Sequence, residues 1–318
     1  MVISENLTSQ VTAQHSDRVG TGQATAHHGE LVQGVFENAS GGLQRGLVTL
    51  PLDRIRSLAK FKPSADARID VIPPDRTKAK KAARLTLKHM ACSQIGGELT
   101  ITSSIAVGHG YGSSTADVVA AIRAVAAAHG IKLRRSTICQ LAVAAEGASD
   151  AITYEDQAIL FAHRDGSIIE HFNGPLPPLI SVGFKASDGK PVDTIAMPRA
   201  RYNAEEIQTF HTLRGLVARS IACQDPFLLG RASTVSAQIS QRYLPKSRFD
   251  TVLNIARHHG ACGVQVAHSG SLIGILLDAT STDARAKASE IAKSMSDGGF
   301  KDAEIHSVNT EEAFENAP

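Results

Sequence analysis

The chain is 318 residues long, with 33 Lys and Arg against 31 Asp and Glu, a formal net charge of +2. That near-balance argues against a dedicated nucleic-acid binder, which concentrates positive charge. A content of 42% hydrophobic and 20% charged residues excludes global disorder. There are 26 glycines and runs of alanine, but no tryptophan, ten phenylalanines and four tyrosines. Few rings speak against recognition by stacking, and the small residues speak for bare backbone and closely approaching helices. The length suggests about two domains. Cys92, Cys139, Cys223 and Cys262 match no CxxC or zinc spacing and read as buried free thiols in a reducing cytoplasm. Residues 1–20 are polar, lack the apolar core of a signal peptide and read as a flexible tail. No apolar run reaches the ~18 residues of a membrane span.

In chain order, Leu31–Val35 and Gly46–Leu50 read as short strands separated by a Gly41-Gly42 turn. Arg68–Ile72 alternates as a strand and Pro73-Pro74 closes it. Lys78–Cys92 is basic with helical period; its charge reads as a solvated helix face or as steering of phosphate. Glu98–Ser103 is another strand. Next comes Ser104-Ile-Ala-Val-Gly-His-Gly-Tyr-Gly-Ser-Ser-Thr-Ala-Asp117, a strand exit, a glycine loop and a helix running to His129. Ser114 and Asp117 fit a variant capping box at that helix start. A helix over Ser136–Ala145 and strands at Ala158–Ala162 and Ile168–His171 follow, and Pro175–Pro178 suggests a domain boundary. Beyond it the pattern predicts a strand at Leu179–Phe184 and helices at Ala204–Ala222, Pro226–Tyr243 and Arg248–His259. Strands Gly263–Ala267 and Leu272–Leu277 flank the loop His268-Ser-Gly-Ser271, and helix Asp283–Ser296 and strand Ala303–Val308 end the fold. The succession predicts an α+β sandwich.

Gly108, Gly110 and Gly112 permit turns closed to other residues, so successive N–H groups can converge on an anion. The following helix adds unpaired N–H donors and partial positive charge, and Ser113 and Ser114 add hydroxyls for a phosphate oxygen or Mg²⁺. No GK[ST] follows, which excludes a Walker loop, and the dinucleotide fingerprint is incomplete. Glycine spacing alone leaves two readings open, a polyphosphate cradle and a tight turn before a capped helix.

Ala106–Thr115 resembles the second motif of the GHMP kinases, the galactokinase, homoserine, mevalonate and phosphomevalonate kinase superfamily, with Ala106 where that motif has proline. Gly263–Leu277 looks like the third motif of the same superfamily. Within it, Gly29-Glu-Leu-Val-Gln-Gly34, Ser113–Asp117, Pro245-Lys246, Phe249-Asp250 and Val264–Ser271 resemble the L-threonine kinases of cobalamin side-chain synthesis. The resemblance runs over residues 26–278. It implies a two-domain α+β GHMP kinase fold, a ribosomal S5 domain 2-like ATP-binding domain at 21–175 and a ferredoxin-like domain at 176–318, with the flexible tail at 1–20 outside it. It also implies phosphorylation of a small hydroxy amino acid, L-threonine above all, with ATP and Mg²⁺. Serine, homoserine, another amino alcohol, or a catalytically silent ATP-binding sensor are the alternatives. Nucleic acid and membrane are not expected partners, and a homodimer is left open.

The resemblance also distributes roles. Gly108, His109, Gly110, Tyr111, Gly112, Ser113, Ser114 and Thr115 would bind ATP, with Ser114 and Glu146 on the metal. Asp150 would be the base or hydroxyl-orienting group, with Asp156 as its rival; Ser114 and Glu30 complete the catalytic candidates. A solvated acidic loop is the plainer reading of 146–150. Glu30 and Gln33 in the first motif, with His268, Ser269, Gly270 and Ser271, would line the substrate cleft. Asp117 reads as a cap rather than a catalytic group. His27 and His28 beside Glu30 invite a metal, but spacing supplies no third ligand.

Overall fold

The computed structural model describes residues 18–38, 40–186, 200–300 and 303–310. The tail expected at 1–20 lies outside them up to residue 17. Its end is already strand, because β1 spans Gly20–Glu37. Strand β2 spans Leu43–Ser64 and pairs with β1 antiparallel from Gly20↔Phe61 to Glu37↔Leu43. The two short strands expected from sequence are thus the middle of one long hairpin, turned at Gly41-Gly42. Their outer parts escaped notice because Gly, His, Thr, Arg and Ser dilute the alternation there. Register shifts between Thr25 and Val32 break the regular pleat, and such irregularities re-aim side chains beside a site. One consequence is Glu30, which sits opposite both Thr49 of β2 and Val266.

Strand β3 (Ile69–Ile72) runs parallel to β4 (Gly96–Ser103), which pairs with β2. Helix α1 (Thr77–His89) buries Ala79, Ala82, Ala83, Thr86 and Leu87 and leaves its lysines in solvent. Helix α2 (Ser113–Ala128) is buried almost all round, as an apolar-circumference helix must be. Its alanines let β1 come close: a Cβ on Gly22 would stand 2.2 Å from the Ala120 carbonyl oxygen. Any side chain there pushes the strand off the helix. Ile122 on α2 is 0% exposed, a burial that stabilises by about 1.5–3 kcal/mol.

Helix α3 (Arg135–Glu146), a 3₁₀ turn (Ala151–Tyr154) and the hairpin β5 (Ile159–Ala162) and β6 (Ser167–His171) follow. After Pro175–Pro178 come β7 (Leu179–Lys185), α4 (Ala204–Cys223), α5 (Pro226–Ser240) and α6 (Phe249–His258). Then β8 (Gly263–Val266), β9 (Leu272–Asp278), α7 (Ala284–Asp297) and β10 (Glu304–Val308) complete the described chain. The strands form one hydrogen-bonded path, β10-β7-β9-β8-β1-β2-β4-β3, with β5 and β6 attached to β2. Its two halves join through a single pair, Glu30↔Val266. A core of β1, β2, α1, α2 and α3 side chains lies on one side of that seam. A second core, built on β7, β8, β9, α6 and α7, lies on the other. The seam is therefore where loops from both halves meet.

Two expectations need correction. Ser114 and Asp117 do not cap α2: its N-cap is Gly112, with no side-chain cap bond. Asp117 is buried, accepts from the Ser57 hydroxyl at 2.6 Å and pairs with the Arg76 guanidinium at 3.0 Å. These partners are remote in sequence, so local spacing could not announce them. All four cysteines are free, but Cys223 is exposed and Cys92 half-buried; only Cys139 and Cys262 are buried. No described helix is long and apolar enough to cross a membrane.

Candidate active site

The loop before α2 turns on Gly108, Gly110 and Gly112, at φ 82°, 104° and 69°. At Gly112 this is required twice over. The left-handed φ favours glycine, and a Cβ would stand 2.3 Å from the His27 ring. No side chain caps α2, so its first N–H groups have no side-chain acceptor, as at an anion site. The loop is stapled to the other half of the molecule. The His109 carbonyl accepts from the N–H groups of Ser271 at 3.0 Å and Leu272 at 3.3 Å. Gly270, at φ 110°, fits against His109, where a Cβ would come within 2.2 Å of that carbonyl oxygen. The buried Lys246 ammonium donates to the Gly270 carbonyl at 2.6 Å, fixing the loop from beneath. Burial lowers that lysine to about 7.

Acidic groups converge on the start of α2. Ser114 Oγ donates to Glu146 Oε2 at 2.8 Å, and Thr115 Oγ1 lies 2.8 Å from Glu146 Oε1 and 3.2 Å from Asp150 Oδ2. The reading of 146–150 as a free acidic loop is therefore wrong. Helix α3 ends at Glu146 and the chain folds both carboxylates back onto α2. Burial pushes Glu146 up to about 7 despite the Ser114 hydrogen bond. A cation here would reverse that cost, and the hydroxyl and carboxylate oxygens are hard donors of the kind Mg²⁺ prefers. The Lys78 charge on α1 also acts on Glu146, while the rest of that basic face is solvated.

Asp150 has a second partner, His27, whose Nε2 lies 3.0 Å from Asp150 Oδ2. Burial alone would neutralise the ring, but the Asp150 charge and hydrogen bond hold His27 up at about 9. Burial likewise pushes Asp150 up, and the His27 charge overcomes it, leaving the carboxylate at about 2. Glu30 is 2% exposed, with Oε1 3.8 Å from His27 Nδ1 and Oε2 without a hydrogen-bond partner. Burial raises it to about 8. Ligand atoms of His27, Glu30 and Asp150 lie within 4.8 Å of one another, so the third group that spacing could not supply is Asp150. His28 takes no part: its ring contacts Gln265, Tyr111 and His306 on the other face of β1.

The remaining predicted residues fall on both sides of the seam. Gln33 Oε1 meets His268 Nδ1 at 2.9 Å, and Ser271 Oγ lies 3.4 Å from His109 Nδ1. The Ser269 carbonyl lies against Gly110. The Tyr111 side chain turns away from the loop to Glu304 of β10, 3.4 Å off, so only its backbone remains at the cradle. Ser113 is buried at the first turn of α2. Asp156 does not join them; Arg135 grips it on the surface at 2.7 and 2.9 Å. His163, just beyond β5, is a residue the sequence reading missed. It lies beside His268, with ring centroids 5.1 Å apart. A lone histidine after a strand carries no sequence signal of such a place.

A loop built for phosphate, a hydroxyl–carboxylate pair fit for a cation and an ionised aspartate together define the class of phosphate-transferring enzymes. The family described as the GHMP kinases N-terminal domain matches residues 77–162. An L-threonine kinase of Salmonella typhimurium is 30% identical over 272 residues, 82% of this chain and 84% of that one. An L-threonine kinase of Citrobacter freundii is 31% identical over 198 residues, 57% and 62% of the two chains. Among solved structures, homoserine kinase from Cytophaga hutchinsonii superposes with a TM-score of 0.67 at 16% identity, covering 92% and 95% of the chains, a likeness of fold. The chain belongs to the GHMP kinases. It is accordingly an ATP-dependent phosphotransferase that acts on a hydroxyl group.

Proposed function

We propose that the enzyme transfers the γ-phosphoryl group of ATP to the hydroxyl of L-threonine, giving L-threonine O-3-phosphate and ADP. The observation that carries this is the convergence of Ser114, Thr115, Glu146 and Asp150 at the uncapped start of α2. The glycine loop and the amides of Ser113, Ser114 and Thr115 hold the phosphates without basic side chains. Ser114 and Glu146 would hold Mg²⁺, which when bound would offset phosphate charge. Asp150 accepts a hydrogen bond from the threonine hydroxyl and aims its oxygen at phosphorus. As the new O–P bond forms, the bond to the bridging oxygen of ADP breaks with its electron pair going to ADP, and the hydroxyl proton, made acidic by the new bond, passes through the Asp150 carboxylate to solvent. A carboxylate held at about 2 is a weak base. Orientation is therefore its main contribution, in keeping with the loose transition state of phosphoryl transfer. Buried Glu30 faces the substrate ammonium, an ion that removes the cost of its orphaned oxygen. Gln33 and the 268–271 loop close the cleft.

We further assign the enzyme to a reducing cytoplasm, in keeping with its free thiols, and its product to the aminopropanol arm of cobalamin, the role that the resemblance to the threonine kinases suggests. An assay of ADP release with L-threonine, L-serine and L-homoserine tests the acceptor. L-Threonine is expected to give the highest kcat/KM. ADP release no faster with L-threonine than without an acceptor overturns the assignment, and ATP binding without transfer to any alcohol would make the chain a sensor.

A further inference from the structure

Near Asp150 stand two imidazoles, one of them with no hydrogen-bond partner. His163 is 3% exposed, and neither ring nitrogen has a hydrogen-bond partner. A buried polar group left this way costs about 1–3 kcal/mol, so its retention asks for a ligand. His268 sits edge-on to it and spends only Nδ1, on Gln33. Positive charge gathers behind the pair. Arg45 and Arg164 act electrostatically on both rings, and Lys246 acts on His268. Two of these cations are held in place by backbone carbonyls, Arg45 by Ala200 at 2.6 Å and Lys246 by Gly270 at 2.6 Å. Asp150 lies in the same electrostatic neighbourhood and feels both rings.

We propose that His163 and His268, backed by Arg45, form the subsite that receives the α-carboxylate of the acceptor while its hydroxyl rests at Asp150. The proposal rests on the amino-acid kinase reading above and deepens it. A carboxylate carries an acceptor for the unused His163 ring N–H and negative charge to face Arg45. His268, whose Nδ1–H is spent on Gln33 Oε1, joins it by taking a proton from solvent at Nε2. An ammonium is repelled by the same cations and belongs at Glu30 instead. In an α-amino-β-hydroxy acid the carboxyl carbon and the hydroxyl oxygen are on neighbouring carbons. One small ligand can therefore touch the imidazoles and Asp150 together. A site with buried groups waiting for a partner rejects analogues that lack it far more strongly than an apolar pocket does.

The test uses the full chain with saturating ATP, comparing L-threonine with L-threoninamide, which keeps the ammonium and the hydroxyl but not the charge. The wild-type enzyme is expected to prefer L-threonine by about 10²-fold or more in kcat/KM. His163→Leu is expected to raise KM for L-threonine about tenfold or more, leave KM for ATP unchanged and narrow the preference over the amide. His163→Gln, which keeps an N–H donor, is expected to recover part of the loss. Equal turnover of acid and amide by the wild-type enzyme overturns the subsite alone. So does a His163→Leu defect confined to ATP, which would make the cluster a phosphate contact. No turnover of L-threonine by the wild-type enzyme overturns the acceptor assignment itself, and this subsite with it.

Discussion

Helices α4 and α2 begin in opposite ways. Helix α4 has a full capping box: Asn203 Oδ1 accepts from the Glu206 N–H at 2.8 Å, and Glu206 Oε2 accepts from the Asn203 N–H at 2.8 Å. Helix α5 is capped by Asp225, which accepts from Phe227 and Leu228, and it opens with a proline. Helix α2 has the left-handed Gly112 as its N-cap and no side-chain cap bond. The two structural helices spend side chains on the orphan amides that every helix start leaves. Helix α2 leaves its first amides without a side-chain acceptor, where we propose that the ATP phosphates bind. Lack of a side-chain cap does not by itself set α2 apart, since α1, α3, α6 and α7 also have none. What distinguishes its start is the left-handed glycine turn with the Ser114, Thr115, Glu146 and Asp150 side chains gathered on it.

The sharpest way to break this contrast is to close the open end. Gly112→Ala places a methyl 2.3 Å from the His27 ring at φ 69°. The loop must shift, and with it the amides and the Asp150–His27 contact. Phosphotransfer is expected to fall by about 10²-fold or more, with weakened ATP binding by calorimetry. Wild-type ATP affinity in this variant would show that the turn is not what shapes the cradle.

A smaller effect separates the buried ion pair from the chemistry. His27 is raised from 6.5 to about 9, so its pairing stabilises the fold fully below 6.5 and loses that contribution as pH rises through 9. Asp150 is lowered from 3.8 to about 2, so its share is present above 3.8 and lost as pH falls through 2. Asp150→Asn is therefore expected to destabilise most between pH 4 and 6.5, by up to about 3 kcal/mol, and progressively less towards pH 9. Thermal melts of both proteins across that range check it. A stability gap that stays constant up to pH 9.5 would mean that His27 is not charged in the fold.

Much of this site lies open in the sequence. Gly108, Gly110, Gly112 and Ser114 sit in one short run; Glu146 ends the second helix after it and Asp150 lies just beyond, before the 3₁₀ turn. The glycine run is legible because it is local, whereas Glu146 and Asp150 stand 32 and 35 residues from their partners on α2 and are legible through the resemblance to the GHMP kinases. Asp117 misled for the opposite reason: its partners Ser57 and Arg76 reach it only through the fold, and a buried ion pair looks like a cap from nearby residues alone. His163 was invisible because its meaning depends on His268, which approaches across the seam from the other half. The hairpin was foreshortened because its glycines serve the approach of α2 and interrupt the apolar alternation by which strands are recognised. Placing Asp150 and Asp156 likewise needed the fold, which gives one to His27 and the other to Arg135.

The mildest perturbation tests the other side of the contrast. Asn203→Ala removes the acceptor for the Glu206 N–H, but Glu206 keeps its remaining contacts, with Arg242 at 2.5 Å and the Tyr243 hydroxyl at 2.9 Å. The start of α4 frays without releasing Glu206, so the loss is that of one cap, about 1 kcal/mol, or about 2 °C in Tm for a chain of this size. No residue of the cradle or of the acidic cluster belongs to α4. Activity at 25 °C with saturating ATP and threonine is therefore expected to stay at the wild-type level while Tm falls. That outcome, set beside Gly112→Ala, separates a helix start that serves the fold from one that serves the ligand. A marked fall in kcat for Asn203→Ala with little change in Tm would erase the distinction and tie the start of α4 to the reaction.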